Sequence, residues 1–473
     1  MLHKALPLLT LVLCCQWSEA ASLKSQSSSE DQVDVMVTVY SNNYGLIREV
    51  RRLTLPRGEV ELEFQDVAEQ IDPTSVAFKS ITQENQVRIL EQNYRYDLLN
   101  PTTLLNRYIG RKLKFIQYLS VDNSEVKQER EGVLLSTQGG TIVRFDDEIE
   151  ILPQGTISLA ELPEDLLSRP TLIWLLENGY QREQQVETSY LTNGMNWHAD
   201  YVLVVNEDDT RLDLNGWVTL DNRSGASYRN AELKLIAGDV KRVSEPAVPE
   251  VMAQRMQRSV SAFEAPFQER QLFEYHLYSL GRRTTLANNE TKQMSLLAGR
   301  GVKVQKGFSV RSGINPFSVQ PKLPETKVAV SLEFKNSEDN NLGMALPAGR
   351  VRVYKADTDA SLQLIGEERI DHTPRDESIT LQIGNAFDIV SERTQTSFQR
   401  RGDRSSLVSY RIQLRNHKDE DVTVKVIDTF PGEVTIISQS REFREADARS
   451  IEFEVDVPQR GEEEVSYTAL VSW

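Results

Sequence analysis

The sequence predicts a mainly β protein of several antiparallel sheets, sandwich-like and immunoglobulin-like toward the C-terminus, with few short helices. The first observation behind this is alternation. Val35, Val37 and Val39, then Val60, Leu62 and Phe64, fall at every second position, as a strand with one buried face requires. The second is a recurring turn in which Pro presets φ and Gly permits the reversal before an alternating run. It appears as Leu55-Pro56-Arg57-Gly58, as Leu152-Pro153-Gln154-Gly155 before Thr156–Leu159, as Leu346-Pro347-Ala348-Gly349 before Val351–Tyr354, and as Val457-Pro458-Gln459-Arg460-Gly461 before Val465–Tyr467. The third is a strand that ends in Asn and a polar turn, at Trp217–Asn222, Val330–Asn336 and Tyr410–Asn416, each followed by another alternating run in the rhythm of sandwich hairpins.

The elements follow in order. Residues 1–20 read as a secretory signal: Lys4, an apolar run from Ala5 to Cys15, then Ser18-Glu19-Ala20 with small residues placed for cleavage after Ala20. That run is too short to span a bilayer, and no later stretch supplies the ~20 apolar residues of a membrane helix. Residues 21–33 are Ser-rich and polar, a flexible leader. An N-terminal β region covers 34–169, with one short helix from Asn100-Pro101-Thr102-Thr103 to a stop at Gly110 and one further turn over Glu161–Leu167. A central β domain covers 170–390 and carries a Pro-, Gln- and Met-rich mobile insertion near 245–270, and a β-sandwich covers 391–473. A length of 473 residues fits about three domains.

Composition narrows the partners. With 39% hydrophobic and 26% charged residues the chain has the material for buried cores, and a net charge of −16 would repel nucleic-acid phosphates and anionic lipid. Cys14 and Cys15, the only cysteines, lie in the signal, so no disulfide and no Cys-ligated metal is expected beyond it. A cysteine-free secreted chain of this size suits a bacterial periplasm.

Several strings occur together and in order: Tyr190-Leu191-Thr192, Trp197-His198-Ala199-Asp200-Tyr201, Leu214-Asn215-Gly216-Trp217, Asn222-Arg223-Ser224-Gly225 and Leu235-Ile236-Ala237-Gly238-Asp239-Val240. Phe273-Glu274-Tyr275-His276, Thr291-Lys292-Gln293 and Gly384-Asn385-Ala386-Phe387-Asp388 continue them. Together they resemble the domain of unknown function 4139 family, mostly secreted bacterial proteins with mucoidy-inhibitor-like members. The resemblance runs over 170–473, and the segment from Val39-Tyr40 to Asp72-Pro73-Thr74-Ser75 resembles the opening strand of such proteins. The coiled-coil insertion of the mucoidy-inhibitor-like branch is missing. The resemblance implies architecture and compartment, and it brings no activity and no catalytic residue.

Reaction signatures are absent. There is no Gly-x-Ser-x-Gly, no phosphate-binding loop and no His-Glu-x-x-His, and His198, His276, His372 and His417 are far apart without ligand spacing. His198 stands out between Trp197 and Asp200. The loop Asn206–Asp213 gathers Asp208, Asp209 and Asp213, hard oxygen ligands of the kind Ca²⁺ takes, but without the spacing of a calcium loop, and turn chemistry is the favoured reading. Asp72, Asp200 and Asp388 are further carboxylates associated with the resemblance, available for acid–base pairing only if the fold brings them together. Arg401-Gly402-Asp403 spells an adhesion tripeptide, a weak three-letter signal, and the alternating C-terminus ending in Trp473 is shared by sandwich strands and outer-membrane barrels.

The expectation is therefore a non-enzymatic, periplasmic or secreted β protein that binds an envelope protein or glycan through loops on rigid sheets, with no cofactor, no metal, no nucleic-acid partner and no transmembrane helix. Its binding-site candidates are His198, Asp200, Asp208, Asp209, Asp213 and Asp388. The alternatives are a glycan-directed hydrolase using a carboxylate pair and an outer-membrane-associated protein. Trp197 and Trp217 are expected in the core.

Overall fold

The computed structural model describes residues 23–82, 85–95, 100–121, 124–161, 169–238, 240–241, 267–320, 326–357, 359 and 361–473. The expected signal, most of the insertion near 245–270, and all but the first residue of the turn over Glu161–Leu167 lie outside the described residues. Strand dominates, and Pro101–Arg107 is the one α-helix among the described residues. The chain divides into two units: residues 1–37, 46–194 and 223–231, and residues 38–45, 195–222 and 232–473.

In the first unit, Gly58–Gln65 runs beside Leu23–Ser27 in parallel and beside Thr171–Asn178 antiparallel, and Val87–Arg95 completes that sheet. The alternation of Val60, Leu62 and Phe64 is the buried face, and Trp174 seals it, its ring 5.3 Å from Phe64 and 4.6 Å from Phe78. Leu23–Ser27 corrects the flexible leader: a polar edge strand needs only backbone partners, which composition does not reveal. The short helix forms where expected. Asn100 Oδ1 accepts from the Thr103 N–H at 2.9 Å, Pro101 opens the first turn, and Gly110 follows at φ 83°. It lies with a five-stranded sheet, Lys112–Val121 to Thr156–Ser158, over a small core of Tyr108, Leu113, Phe115, Leu134, Val143 and Phe145.

The second unit holds two large sheets. One has five strands in the order Glu290–Lys303, Arg211–Asn222, Met195–Val205, Gly349–Ala356, Leu362–Ile370, with a single parallel pair at Met195–Val205 and Gly349–Ala356. The other has nine strands and includes residues 391–473, where the C-terminal sandwich was expected, but position 391 falls inside one continuous strand, Ser378–Gly402. Its first half pairs with Thr326–Lys335 and its second with Ser405–Asn416, so strands well before 391 belong to the same sheet. Ser378–Gly402, Val422–Thr429 and Glu462–Ser472 are not neighbours in that sheet. They nevertheless meet through buried side chains: Arg393 forks onto Asp428, and the Tyr467 hydroxyl donates to Asp428 Oδ2 at 2.7 Å. The sheet is thus folded over a core that includes Val310, Tyr410, Val424, Phe453 and Tyr467. None of the sheets closes on itself among the described residues.

The strand-ending asparagines have one physical role. Asn222, Asn336 and Asn416 are buried, and each Nδ2 donates to carbonyls of a neighbouring turn: Leu286 and Ala287, Met344 and Pro374, and Glu420, Val457 and Pro458. Asn178, not singled out in the sequence, does the same to Leu55 and Pro56. Two of the Pro-Gly turns are therefore clipped by an Asn at the end of another strand. At those two places the strand end and the turn are halves of one device.

Candidate functional site

The strand Met195–Val205 buries alternate residues. Trp197, Ala199, Tyr201, Leu203 and Val205 face the core, with Trp197 Nε1 donating to the Ile236 carbonyl at 3.2 Å and the Tyr201 hydroxyl to the Pro347 carbonyl at 2.8 Å. The period of two then places His198, Asp200, Val202 and Val204 on the opposite, open face. Register brings partners to them. His198 lies opposite Thr219, Asp200 lies opposite Trp217 on one side and Arg350 on the other, and Thr219 lies opposite Gln293. Gly349 permits the parallel approach, because a Cβ there would sit 2.4 Å from the Ala199 carbonyl oxygen.

Four side chains form a relay across three strands. Gln293 Nε2 donates to Thr219 Oγ1 at 3.1 Å, and the Thr219 hydroxyl donates to Asp200 Oδ2 at 2.9 Å. His198 Nε2 lies 3.2 Å from the same Asp200 oxygen. Asp200 is 8% exposed, whereas the His198 side chain is 49% exposed, so the relay runs from a fixed carboxylate to an accessible imidazole. Burial pushes the Asp200 carboxyl up, but hydrogen bonds from His198 and Thr219 and the nearby Arg352 charge outweigh it and hold it below the ordinary carboxylate range. Arg352 in turn pairs with Glu367 at 2.9 Å.

This geometry presents an oriented ring. With Nε2 turned to Asp200, Nδ1 of His198 is the nitrogen available to a ligand. Thr219 gives its proton to Asp200 rather than to His198, so the three do not form a nucleophile–base–acid chain.

The remaining candidates are separate. Asp208 is exposed in the turn after Asn206, whose Oδ1 accepts from the Thr210 and Arg211 N–H groups at 3.0 Å each. Asp209, at φ 56°, is held by Lys306 at 2.7 Å and Lys355 at 2.5 Å, while Asp213 accepts from the Gly301 N–H at 2.8 Å. Burial raises the Asp209 carboxyl, but the two ammonium groups prevail and keep it ionised. Two lysines already occupy the charge a calcium ion would need, and among the described residues no group of three or more His, Cys, Asp or Glu side chains is arranged to hold a metal. Asp388 is exposed, and its carbonyl accepts from the His417 N–H. Asp72 caps a 3₁₀ turn through Thr74.

Sequence reasoning did not single out Thr219, Gln293 and Arg352 as site residues, although Gln293 ends one of the family-resembling strings, Thr291-Lys292-Gln293. It also placed Trp217 in the core, and there the structure corrects it: Trp197 is buried, but Trp217 is half-buried on the open face beside Asp200. The signal was present, since Val218, Leu220 and Asn222 are the buried set of that strand and Trp217 is out of phase with them. Size was allowed to override period.

The strands of the relay lie inside one family match. The model described as Domain of unknown function (DUF4139) matches residues 186–473. A comparison with curated proteins found no match. The matched region takes in every strand of the five-stranded sheet that carries the relay and of the nine-stranded one, well over half of the chain, and the chain belongs to the DUF4139 family.

Proposed function

We propose that the protein is a non-enzymatic binding module of the cell envelope, periplasmic or secreted after cleavage near Ala20, and that the open face around His198 and Asp200 is its contact surface. The observation that carries this reading is the relay itself. Four side chains on three paired strands are spent on orienting one accessible imidazole, and a rigid sheet holds them ready before any ligand arrives. The signal-like residues 1–20 and the lack of cysteine beyond them support the compartment.

The rival hydrolase draws no support from the carboxylates proposed for it. Asp200 is held ionised rather than poised as an acid, Asp72 caps its own turn, and Asp388 lies on a different sheet from Asp200. For the outer-membrane reading, the strand Glu462–Ser472 lies between two neighbours, and its Val465, Tyr467, Ala469 and Val471 are core residues of the folded sheet rather than a lipid-facing row.

A photo-crosslinking side chain at position 198 or 295, in cells, tests the face directly, with position 88 of the first unit as control. Products that form from the two face positions and not from the control would support the reading. Identical products from all three, or products from the control alone, would overturn it.

A further inference from the structure

We infer that the open face binds an oligosaccharide, with Trp217 and Tyr354 as its two stacking platforms and the Asp200 relay as its hydroxyl-recognition group. This rests on the reading of that face as the contact surface.

The register lays the groups out in rows. Ser295, Trp217, Asp200 and Arg350 form one row across four strands, and Asn215, Val202, Arg352 and Glu367 form the next. Trp217 is half-buried, so its indole costs exposure to water that a core position would have avoided. On either side of Asp200 stand an aromatic and a guanidinium. That combination is what a pyranose needs: an apolar ring face to take its C–H groups, and fixed acceptors and donors for its vicinal hydroxyls. Asp200 Oδ2 is already used by His198 and Thr219, so its second oxygen and Nδ1 of His198 are the groups left to face a sugar.

The same inventory argues against a protein partner here. A stable protein interface buries about 800 Å² a side around an apolar core with several aliphatic and aromatic anchors. Around Trp217 and Asp200 this face offers the half-buried Val202 and Val204 among Asp200, Arg350, Arg352 and Glu367, and its exposed leucines, Leu362 and Leu364, lie on the edge strand beyond Tyr354. Charges of both signs are mixed across it, with Asp200 and Glu367 among Arg350, Arg352 and Arg369, so neither a polyanion nor a polycation is matched over the whole face.

The second aromatic sets the ligand's length. Tyr354 is half-buried, lies opposite Val204 and shares the open face, four residues along the strand from Arg350 and two strands from Trp217. At roughly 3.3 Å per residue and 4.8 Å per strand, the platforms are roughly 16 Å apart. One sugar cannot reach both, whereas a short linear oligosaccharide can.

The test uses the full chain lacking residues 1–20 and follows intrinsic fluorescence during titration with chito-oligosaccharides, cello-oligosaccharides and soluble glycan strands of bacterial wall, each as monomer and tetramer. A size-matched peptide is the control. Trp174 and Trp197 are buried, and Trp217→Ala separates a change at Trp217 from one at the half-buried Trp473. The expected result is saturable binding of at least one tetramer, weaker by ~10-fold or more for its monomer. Trp217→Ala should abolish it, Trp217→Phe should retain part of it, and Tyr354→Ala should remove the advantage of length alone, all three with melting temperatures near that of the parent. Absence of saturation with every sugar, or a response that survives Trp217→Ala, overturns the proposal. If position 198 still crosslinks a protein in cells while no sugar binds, the glycan assignment falls and the contact surface stands. If neither occurs, both fall.

Discussion

At the scale of single residues, the two tryptophans of the central strands separate burial from function. Trp197 is packed and hydrogen-bonded, so Trp197→Ala should cost about 3–5 kcal/mol, whereas Trp217→Ala on the open face should cost under about 1 kcal/mol. Thermal unfolding of both variants checks this, and equal losses would return Trp217 to the core. Asp200 makes a prediction about pH. Its folded-state pKa is depressed, so the unfolded chain takes up a proton first as the pH falls, and its contribution is complete above about pH 5 and is lost as the pH drops through the folded value. Asp200→Asn should therefore lower the melting temperature at pH 7 and flatten the acid limb between pH 3 and 5, the variant and the parent converging at low pH. An unaltered acid limb would mean that the hydrogen bonds from His198 and Thr219 do not favour the carboxylate. His198 and Asp200 were legible in the sequence because they lie two apart on one strand and so share a face. Thr219 and Gln293 were not, because cross-strand register depends on where distant hairpins turn.

At the scale of elements, the turns and the strand ends stabilise one another. Asn416 is 1% exposed and its amide serves three carbonyls, so Asn416→Ala leaves several acceptors buried without a donor and should cost about 2–4 kcal/mol. A calorimetric melting temperature within a degree of the parent would show that water replaces the amide. The folded nine-stranded sheet has a polar pin at its centre. Burial disfavours the charge on Arg393, yet Asp428 and Tyr467 outweigh it and hold the guanidinium protonated, while Arg393 Nε has no hydrogen-bond partner among the described residues. Removing one ion strands the other, so Arg393→Ala should cost about 3–5 kcal/mol, and the double variant Arg393→Met with Asp428→Leu should recover most of it. A double variant as unstable as the single one would show that the pin is needed for its geometry as well as its charge. The alternation and the Pro-Gly turns that built these strands were plain in the sequence. The 25-residue strand Ser378–Gly402 was not, because nothing in its composition marks where it leaves one partner strand and takes up the next.

At the scale of the whole molecule, protection from solvent follows the sheets rather than the order of the chain. Amide exchange should be slowest in strands with neighbours on both sides and a buried face, such as Met195–Val205 and Ser405–Asn416, and fastest in edge strands such as Leu362–Ile370, whose Leu362 and Leu364 are exposed. Mass-resolved exchange checks this, and fast exchange in Met195–Val205 would contradict the rigid platform assigned to the relay. The sequence by itself determined the class of the fold, the acidic character and the confinement of both cysteines to the first twenty residues, the positions of most strands and turns, and the family, because alternation, turn residues and motif order are local properties of the chain. Only the tertiary structure decided that a polar leader is an edge strand, that a strand crosses the expected sandwich boundary, that Asp209 belongs to two lysines, and that Trp217 stands beside Asp200 on an open face. Each of these depends on which strand lies next to which. That is settled by the packing of residues far apart in the chain, and no local pattern records it.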